Sequence, residues 1–204
     1  MAQASDSVSI VSGSSLIFIG TIFELGIAFI AKIFIARYLG VYDYGIVSVG
    51  IIILSISTTF VVLGLHHGVA RYLPRFKQAP DKRGILLSAF SITTVTSLLL
   101  AFCLFIFADY VAINIFSNLA FSPILKVFAG AVPFAAFIRM VIGSMQGEKK
   151  ASPTVFIQNI VLPSARFILI IIVLLIGVSA VKVAWAYLLA YAIAALVGVY
   201  ALYR

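Results

Sequence analysis

The segment that decides the fold is residues 85–108, which read ILLSAFSITTVTSLLLAFCLFIFA without a single charged side chain. A helix needs about 20 predominantly apolar residues to cross the hydrocarbon core of a bilayer, and this run exceeds that length. Because no water is present there, the backbone N–H and C=O groups must pair within the segment, as they do in an α-helix. The stretch therefore predicts a transmembrane helix.

Five other apolar runs of similar length flank this one. Working outward, six spans are expected at residues 14–39, 45–65, 85–108, 124–145, 154–176 and 181–203. Glycines and prolines mark the turns between them, and the residue alternation of a membrane β-barrel is absent from the sequence. The sequence therefore predicts an all-α polytopic membrane protein. A polar N-terminal tail, residues 1–13, precedes a six-helix lobe, residues 14–204.

The composition of the whole chain excludes several classes of protein. Of the 204 residues, 64 % are hydrophobic and 10 % are charged, and the mean hydropathy is +1.23. A soluble domain has about 45–50 % apolar and about 25 % charged residues, so a globule of this size could not hide so much apolar surface from water. Soluble enzymes, secreted disulfide scaffolds and disordered tails are therefore excluded. The single cysteine, Cys103, can form no intramolecular disulfide.

The net charge of +8 is interpreted as a signal for orientation, not for nucleic-acid binding, since Lys and Arg collect in cytoplasmic loops. The loops after odd-numbered spans carry three basic residues: Arg37, Lys126 and Lys182. The loops after even-numbered spans and the C-terminus carry eight: Arg71, Arg75, Lys77, Lys82, Arg83, Lys149, Lys150 and Arg204. We therefore expect a multi-pass protein of the cytoplasmic membrane with both termini in the cytoplasm.

Four charged residues lie well inside the predicted spans, away from the span ends where Arg37, Lys126 and Lys182 are counted with the loops: Glu24, Lys32, Arg139 and Arg166. A charge at the bilayer centre costs about 2.5–3.5 kcal/mol on insertion scales, so such residues usually face protein or water. Glu24 and Arg166 fall near the midplane of two helices that run in the same direction, and they could meet there. Such a pair would either orient the two helices or take part in substrate binding or proton coupling.

A polar stripe marks the fifth span. Asn159, Pro163 and Arg166 fall on one helical face, and Pro163 can kink the helix. This face is expected either to wall a water-filled cavity or to pack against another helix. Arg139 lies near the cytoplasmic end of its helix, where it can snorkel to the interface. Lys32 lies toward the outer end of the first helix, where it either snorkels or lines an outer vestibule.

The sequence carries no signature of an enzyme, a cofactor site or a metal site. It has no Gly-x-Ser-x-Gly motif and no nucleotide-binding loop. His66 and His67 lack the spacing of a helical zinc site and are interpreted as an interfacial turn. Cationic side chains in a membrane cavity are a binding device for an anion, and the fork of an Arg side chain suits phosphate especially well.

Short motifs between the spans resemble those of one family. Residues 36–40 (ARYLG) and 43–45 (DYG) resemble the first loop of polysaccharide flippases, which belong to the multidrug/oligosaccharidyl-lipid/polysaccharide exporter superfamily. Residues 64–65 (GL) and 68–72 (GVARY) are similar to the cytoplasmic segment after their second helix. Residues 146–147 (QG) are similar to their fourth-to-fifth turn. Their order and spacing match the N-terminal six-helix lobe over most of the chain.

The resemblance implies a function. Such proteins move lipid-diphosphate-linked oligosaccharide units from the cytoplasmic to the outer leaflet by alternating access, in a cavity between two six-helix lobes. The cationic cavity takes the diphosphate, and the lipid tail stays in the bilayer. The matching positions here are Lys32, Arg139 and Arg166, with Glu24 as partner, and Asn159 on the polar stripe completes the candidate set.

The resemblance also implies partners. They are the lipid-linked oligosaccharide diphosphate, membrane lipids, and either a second lobe or another copy of the chain. A second lobe is expected because this sequence stops at Arg204, directly after the sixth span. One lobe supplies half a cavity, so a monomer is not expected to transport.

Two other functions remain open at this point. A drug or organic-cation antiporter of the same superfamily would favour an acidic cavity, whereas the spans hold three basic residues and one acid. A non-transporting membrane scaffold for glycan assembly is the other. It is suggested by the short length of the sequence and by small residues at four-residue spacing in the sixth span, since such a ladder lets another helix approach closely. These residues are Ala186, Ala190, Ala194 and Gly198.

Overall fold

The computed structural model describes residues 2–76, 78–148 and 151–203, and these residues form helices and short turns without any strand. The helices are α1 (Ala2–Val62), α2 (Leu65–Tyr72), α3 (Ala79–Ile106), α4 (Ala108–Asn114), α5 (Phe121–Gly147), α6 (Ala151–Val155), α7 (Leu162–Ile176) and α8 (Ala180–Tyr203). A 3₁₀ turn, Leu73–Arg75, follows α2, and a π-helical turn, Phe156–Val161, joins α6 to α7. Because α1 begins at Ala2, the backbone of the polar segment 2–13 is helical. Several residues named above lie outside the described part of the chain: Met1, Lys77, Lys149, Lys150 and Arg204.

Within this described part, five helical segments are long and apolar enough to cross a membrane: Ser15–Val62, Pro80–Ile106, Phe121–Gly147, Ser152–Ile176 and Ala180–Leu202. Large apolar side chains are exposed along four of them, as expected for surfaces that face lipid, whereas Phe121–Gly147 exposes only Phe134 among its large apolar side chains. The chain is therefore a multi-pass membrane protein. The fold class predicted from the sequence is confirmed, while the orientation of its termini stays a prediction.

The first of these segments contains two of the predicted spans. Its 48 residues are divided at Gly40, whose φ of 80° and ψ of 168° are not helical. Glu24 and Ser55 line one cavity, although a straight helix would separate them by roughly 46 Å. The two arms, residues 2–39 and 41–62, therefore fold back on each other. The sequence predicted a turn over residues 40–45, but the reversal needs Gly40 alone and the helix resumes at once.

Helix α5 lies at the centre of the bundle. In its most apolar stretch 61 % of the residues are buried, against 17 % in the corresponding stretch of α3. Helix α8 packs along α5, with the small residues Ala186, Ala190 and Ala194 fully buried. A Cβ atom at Gly198 would lie 3.3 Å from Val141 of α5. The small-residue ladder is thus used inside this chain.

Helix α2 crosses the end of α5 at very short range. A Cβ atom built at Gly143 would lie 2.5 Å from the carbonyl oxygen of His66, and one at Gly147 would lie 3.1 Å from Leu73. Val69 and Leu73 are buried in the same contact. Glycine is required at Gly143 because any side chain would collide with the α2 backbone, so this residue fixes where α2 sits.

At the other end of α5, an ion pair joins it to α4. The Lys126 ammonium donates to both carboxylate oxygens of Asp109, at 3.0 and 2.9 Å, and the Ser122 hydroxyl donates to the same carboxylate. These bonds lower the pKa of Asp109, first through Ser122 and then through Lys126. We call these three residues the α4–α5 clip.

Candidate functional site

A polar cavity of about 460 Å³ lies between α1, α2, α5, α7 and α8. Its charged and titratable lining residues are Glu24, His66, His67, Arg139, Arg166 and Tyr191. Ser55, Thr58, Gln146 and Gln158 contribute further polar groups. Among the residues proposed from the sequence, Glu24, Arg139 and Arg166 therefore share one cavity, although they come from three different helices.

Arg166 is held by aromatic rings of α8. Its guanidinium carbon lies 4.7 Å from the centre of the Tyr187 ring and 5.2 Å from that of Tyr191. Contacts of this kind contribute about 0.5–2 kcal/mol each. The Arg166 Nε atom is buried, and no other described residue accepts a hydrogen bond from it. Arg166 therefore presents a positioned cation with a free donor.

Glu24 is bound by Asn159 and not by a cation. The Asn159 amide donates to a Glu24 carboxylate oxygen at 2.7 Å, and Asn159 is itself buried beside the cavity. This contact depends on Gly20, since a Cβ atom there would lie 3.2 Å from Asn159. Within the described residues, the ion pair closer than 4.0 Å is that of Lys126 and Asp109. Glu24 and Arg166 thus share the cavity without a direct salt bridge.

Local helix geometry helps Asn159 and Arg166 reach the site together. The polar stripe of the fifth span begins in the π-helical turn Phe156–Val161, and Pro163 follows in the first turn of α7. Proline has no N–H and cannot continue the α-helical bonding pattern of the preceding residues. A π turn at this point inserts an extra residue per turn, a feature frequent at functional sites.

Arg139 lies on the wall opposite α7. Its guanidinium donates to the Thr59 hydroxyl at 3.0 Å, which links α5 to the second arm of α1. One neutral hydroxyl uses one of the five N–H donors of an Arg side chain. Arg139 is half-buried and lines the cavity, and none of the carboxylates that the structure describes forms an ion pair with it.

Lys32 lies outside this cavity. Its side chain is exposed on α1, and the residues that line the cavity do not include it. The α1 helix carries Lys32 two turns beyond Glu24, toward Gly40. The structure thus gathers Glu24, Asn159, Arg139 and Arg166 at one site and leaves Lys32 apart.

Sequence reasoning missed His66 and His67 as cavity residues. Their rings lie 3.8 Å apart, and both line the cavity beside Arg139. Burial lowers the pKa of His66, and the neighbouring His67 and Arg139 lower it further. The predicted interfacial turn is a short helix, α2, that starts after the left-handed residue Gly64. Only the long-range contact with Gly143 turns that helix toward the cavity.

The arrangement favours an anionic ligand. Two guanidiniums face one carboxylate, and that carboxylate is already bound by an amide. A second cavity, of about 370 Å³ between α3, α5 and α8, is lined mostly by Phe, Ala, Leu and Val side chains and carries no charge. No group of three potential metal ligands occurs among the described residues. Of these two cavities, the polar one has the charged groups that can recognise a charged molecule.

Comparison with known proteins gives one match. The family model described as "Polysaccharide biosynthesis protein" matches residues 10–204. The match includes every helix that lines the polar cavity. No curated protein and no solved structure matches the chain.

Proposed function

The chain belongs to the polysaccharide biosynthesis protein family, and from that premise we propose that it forms one lobe of a flippase. In this proposal the protein translocates lipid-linked oligosaccharide units across the cytoplasmic membrane by alternating access. The polar cavity receives the diphosphate of the lipid carrier, while the lipid tail remains in the bilayer. The proposal is consistent with a multi-pass helical fold and with a family devoted to polysaccharide biosynthesis.

One observation supports the proposal most strongly. Arg166 lies near the middle of its membrane-length helix, is held by two tyrosine rings and keeps a buried Nε donor free. A charge at that depth is costly and is usually functional. The fork of N–H groups on an Arg side chain can bind two oxygens of one phosphate group. In this proposal the diphosphate therefore accepts the hydrogen bonds that Arg166 does not make within the protein.

In this proposal, transport also requires a second lobe that closes the other side of the cavity. The resemblance seen in the sequence implies two six-helix lobes around the cavity, so the chain works opposite a second lobe or another copy of itself. Arg139 and Arg166, on α5 and α7, would then contact the diphosphate from this side of the cavity.

An organic-cation antiporter is the competing transport function. It would require an exposed carboxylate that attracts a cation inside the cavity. Glu24 is the acidic residue there, and it already accepts a hydrogen bond from Asn159 while two Arg side chains share its cavity. This balance of charge disfavours a cationic substrate.

A non-transporting scaffold loses one of the two observations that suggested it. The small-residue ladder of α8 that suggested docking of a partner helix is buried against α5 of the same chain. A scaffold function would also not explain why the buried Arg166 Nε donor has no acceptor among the described residues.

The test is polysaccharide export by the organism that produces the protein. Arg166→Ala is expected to stop export and to cause accumulation of the lipid-linked unit in the inner leaflet, with normal amounts of folded protein in the membrane. The control is Arg37→Ala, which removes an exposed cation from α1 outside the cavity. Normal export in the Arg166→Ala strain would refute the proposal.

A further inference from the structure

We propose that His66 takes up a proton when an anion enters the polar cavity, so that anion binding and protonation of this histidine are coupled. The inference rests on the proposed function, because it assigns a second role to the same cavity. In this inference His66 binds the anionic head group only when its imidazole is protonated. Three features of the structure support it, namely the fixed position of His66, the charges around it and its paired ring.

The position of His66 is fixed by the backbone. Its carbonyl group rests against Gly143 of α5 at a distance that leaves no room for a side chain there. The ring lines the cavity, and its Nδ1 atom is buried with no hydrogen-bond partner among the described residues. Because the backbone of His66 is held and its Nδ1 atom is buried at the cavity, the contents of the cavity influence the protonation of this ring.

His67 on α2 and Arg139 on α5 oppose a proton on His66, and Arg166 on α7 adds a further positive charge to the cavity. Glu24 on α1 is a carboxylate and favours the proton, and Tyr191 on α8 is the remaining titratable residue of the lining. Helix α3 also packs against α2. Its charged residue Asp81 lines a separate groove, together with Tyr72 of α2. Burial, His67 and Arg139 together lower the pKa of His66.

An anion in the cavity makes the electrostatic surroundings of His66 favour its protonated form. A sulfonate or phosphate group between Arg139 and Arg166 offsets their charges and offers an acceptor to a protonated imidazole. The pKa of His66 then rises. Because linkage is reciprocal, a ligand that favours the protonated residue binds more tightly as the pH falls.

His67 limits the site to one proton. The two rings lie 3.8 Å apart, and two imidazolium groups at that distance repel each other. A charge on one ring therefore opposes a charge on the other. His66 is the member whose nitrogen is buried in the cavity, whereas His67 is exposed.

The experiment measures binding of methanedisulfonate to the purified full chain in lipid nanodiscs. This dianion resembles a diphosphate, and its sulfonates stay ionised between about pH 5 and 8, the range in which histidine titrates. Any dependence on pH therefore comes from the protein. We expect the dissociation constant to fall on acidification by up to about tenfold for each pH unit near the titration of His66, with uptake of about one proton.

Three variants identify the titrating group. His66→Gln is expected to abolish the dependence on pH and the proton uptake. His67→Gln should keep both and move the midpoint to higher pH, because it removes the repulsion. Glu24→Gln should also keep both. Loss of the dependence in Glu24→Gln, or its persistence in His66→Gln, would assign the proton to another residue and overturn the inference.

The outcomes separate this inference from the proposed function. Binding with a flat pH profile in the unmodified protein would leave an anion-binding cavity in place and overturn the proton coupling alone. Absence of binding at every pH, in protein that remains folded by gel filtration, would refute the anion-binding cavity and with it both proposals.

Discussion

Two clusters of charged side chains in this molecule use the same chemistry in opposite ways. In the α4–α5 clip, Asp109 and Lys126 meet at 2.9 Å, and Ser122 completes the bonding of the carboxylate. In the polar cavity, Glu24 and Arg166 share a space without a direct ion pair. In the clip the charged groups bond each other and stabilise the fold. In the cavity the Arg166 guanidinium forms no ion pair with a described residue.

The difference teaches how to recognise a binding site among charged residues. A cluster whose donors and acceptors are matched has nothing left to offer a ligand. A cluster with a donor that no described residue bonds, such as Arg166 Nε, still has a donor that a ligand can use. Substitutions in the cavity should therefore change function more than stability, and substitutions in the clip should do the reverse.

The largest effect is expected at Arg166. Arg166→Ala should reduce translocation of the lipid-linked oligosaccharide at least about tenfold, because removal of one partner from a buried charged contact costs about 2–5 kcal/mol. Arg166→Lys should restore part of the activity, since it keeps the charge without the planar fork. Translocation is measured in cells, and folding by gel filtration in detergent. If Glu24→Ala and Arg166→Ala both only misfold, the two residues have a structural role.

The next largest effect is expected at Gly143, which seats α2 beside the cavity. Gly143→Leu should destabilise the protein by about 1–3 kcal/mol, because the new side chain overlaps the His66 backbone. The matched control is Gly26→Leu, since a side chain at Gly26 meets no atom within 4 Å. Thermal unfolding in detergent compares the two. Equal midpoints would contradict the close approach of α2 and α5.

A smaller effect is expected in the clip. The pKa of Asp109 is lowered in the folded protein, so the stability it contributes is present above its ordinary value of 3.8 and is lost as the pH falls through the lowered pKa. Asp109→Asn should lower the thermal midpoint slightly at neutral pH and remove this part of the acid sensitivity. Oligosaccharide export should stay normal. A loss of export in folded Asp109→Asn protein would contradict the claim that the clip contributes to stability and not to transport.

The smallest effect is expected at Lys32. Lys32→Gln removes an exposed cation that does not line the cavity. Translocation and anion binding should both stay within about twofold of the unmodified protein, in line with the small effects of surface substitutions. A loss as large as that of Arg166→Ala would mean that the substrate contacts α1 beyond the described cavity.

Much of this architecture follows from the sequence, because the length of apolar runs and the cost of buried charge are local properties. The membrane helices and the shared location of Glu24 and Arg166 were predicted in this way. The bond between Glu24 and Asn159 was not, since it depends on how closely Gly20 lets α1 approach. His66 was missed for the same reason, because Gly143, far along the chain, brings α2 to the cavity.

The most direct test of the central claim is equilibrium binding of a lipid-linked oligosaccharide to the protein in nanodiscs. The diphosphate-linked unit should bind, and the same lipid and sugar joined without phosphate should bind at least about tenfold more weakly. Arg166→Ala should abolish this discrimination while the protein remains folded. Equal binding of the two lipids to the unmodified protein would contradict a cavity built to hold the diphosphate.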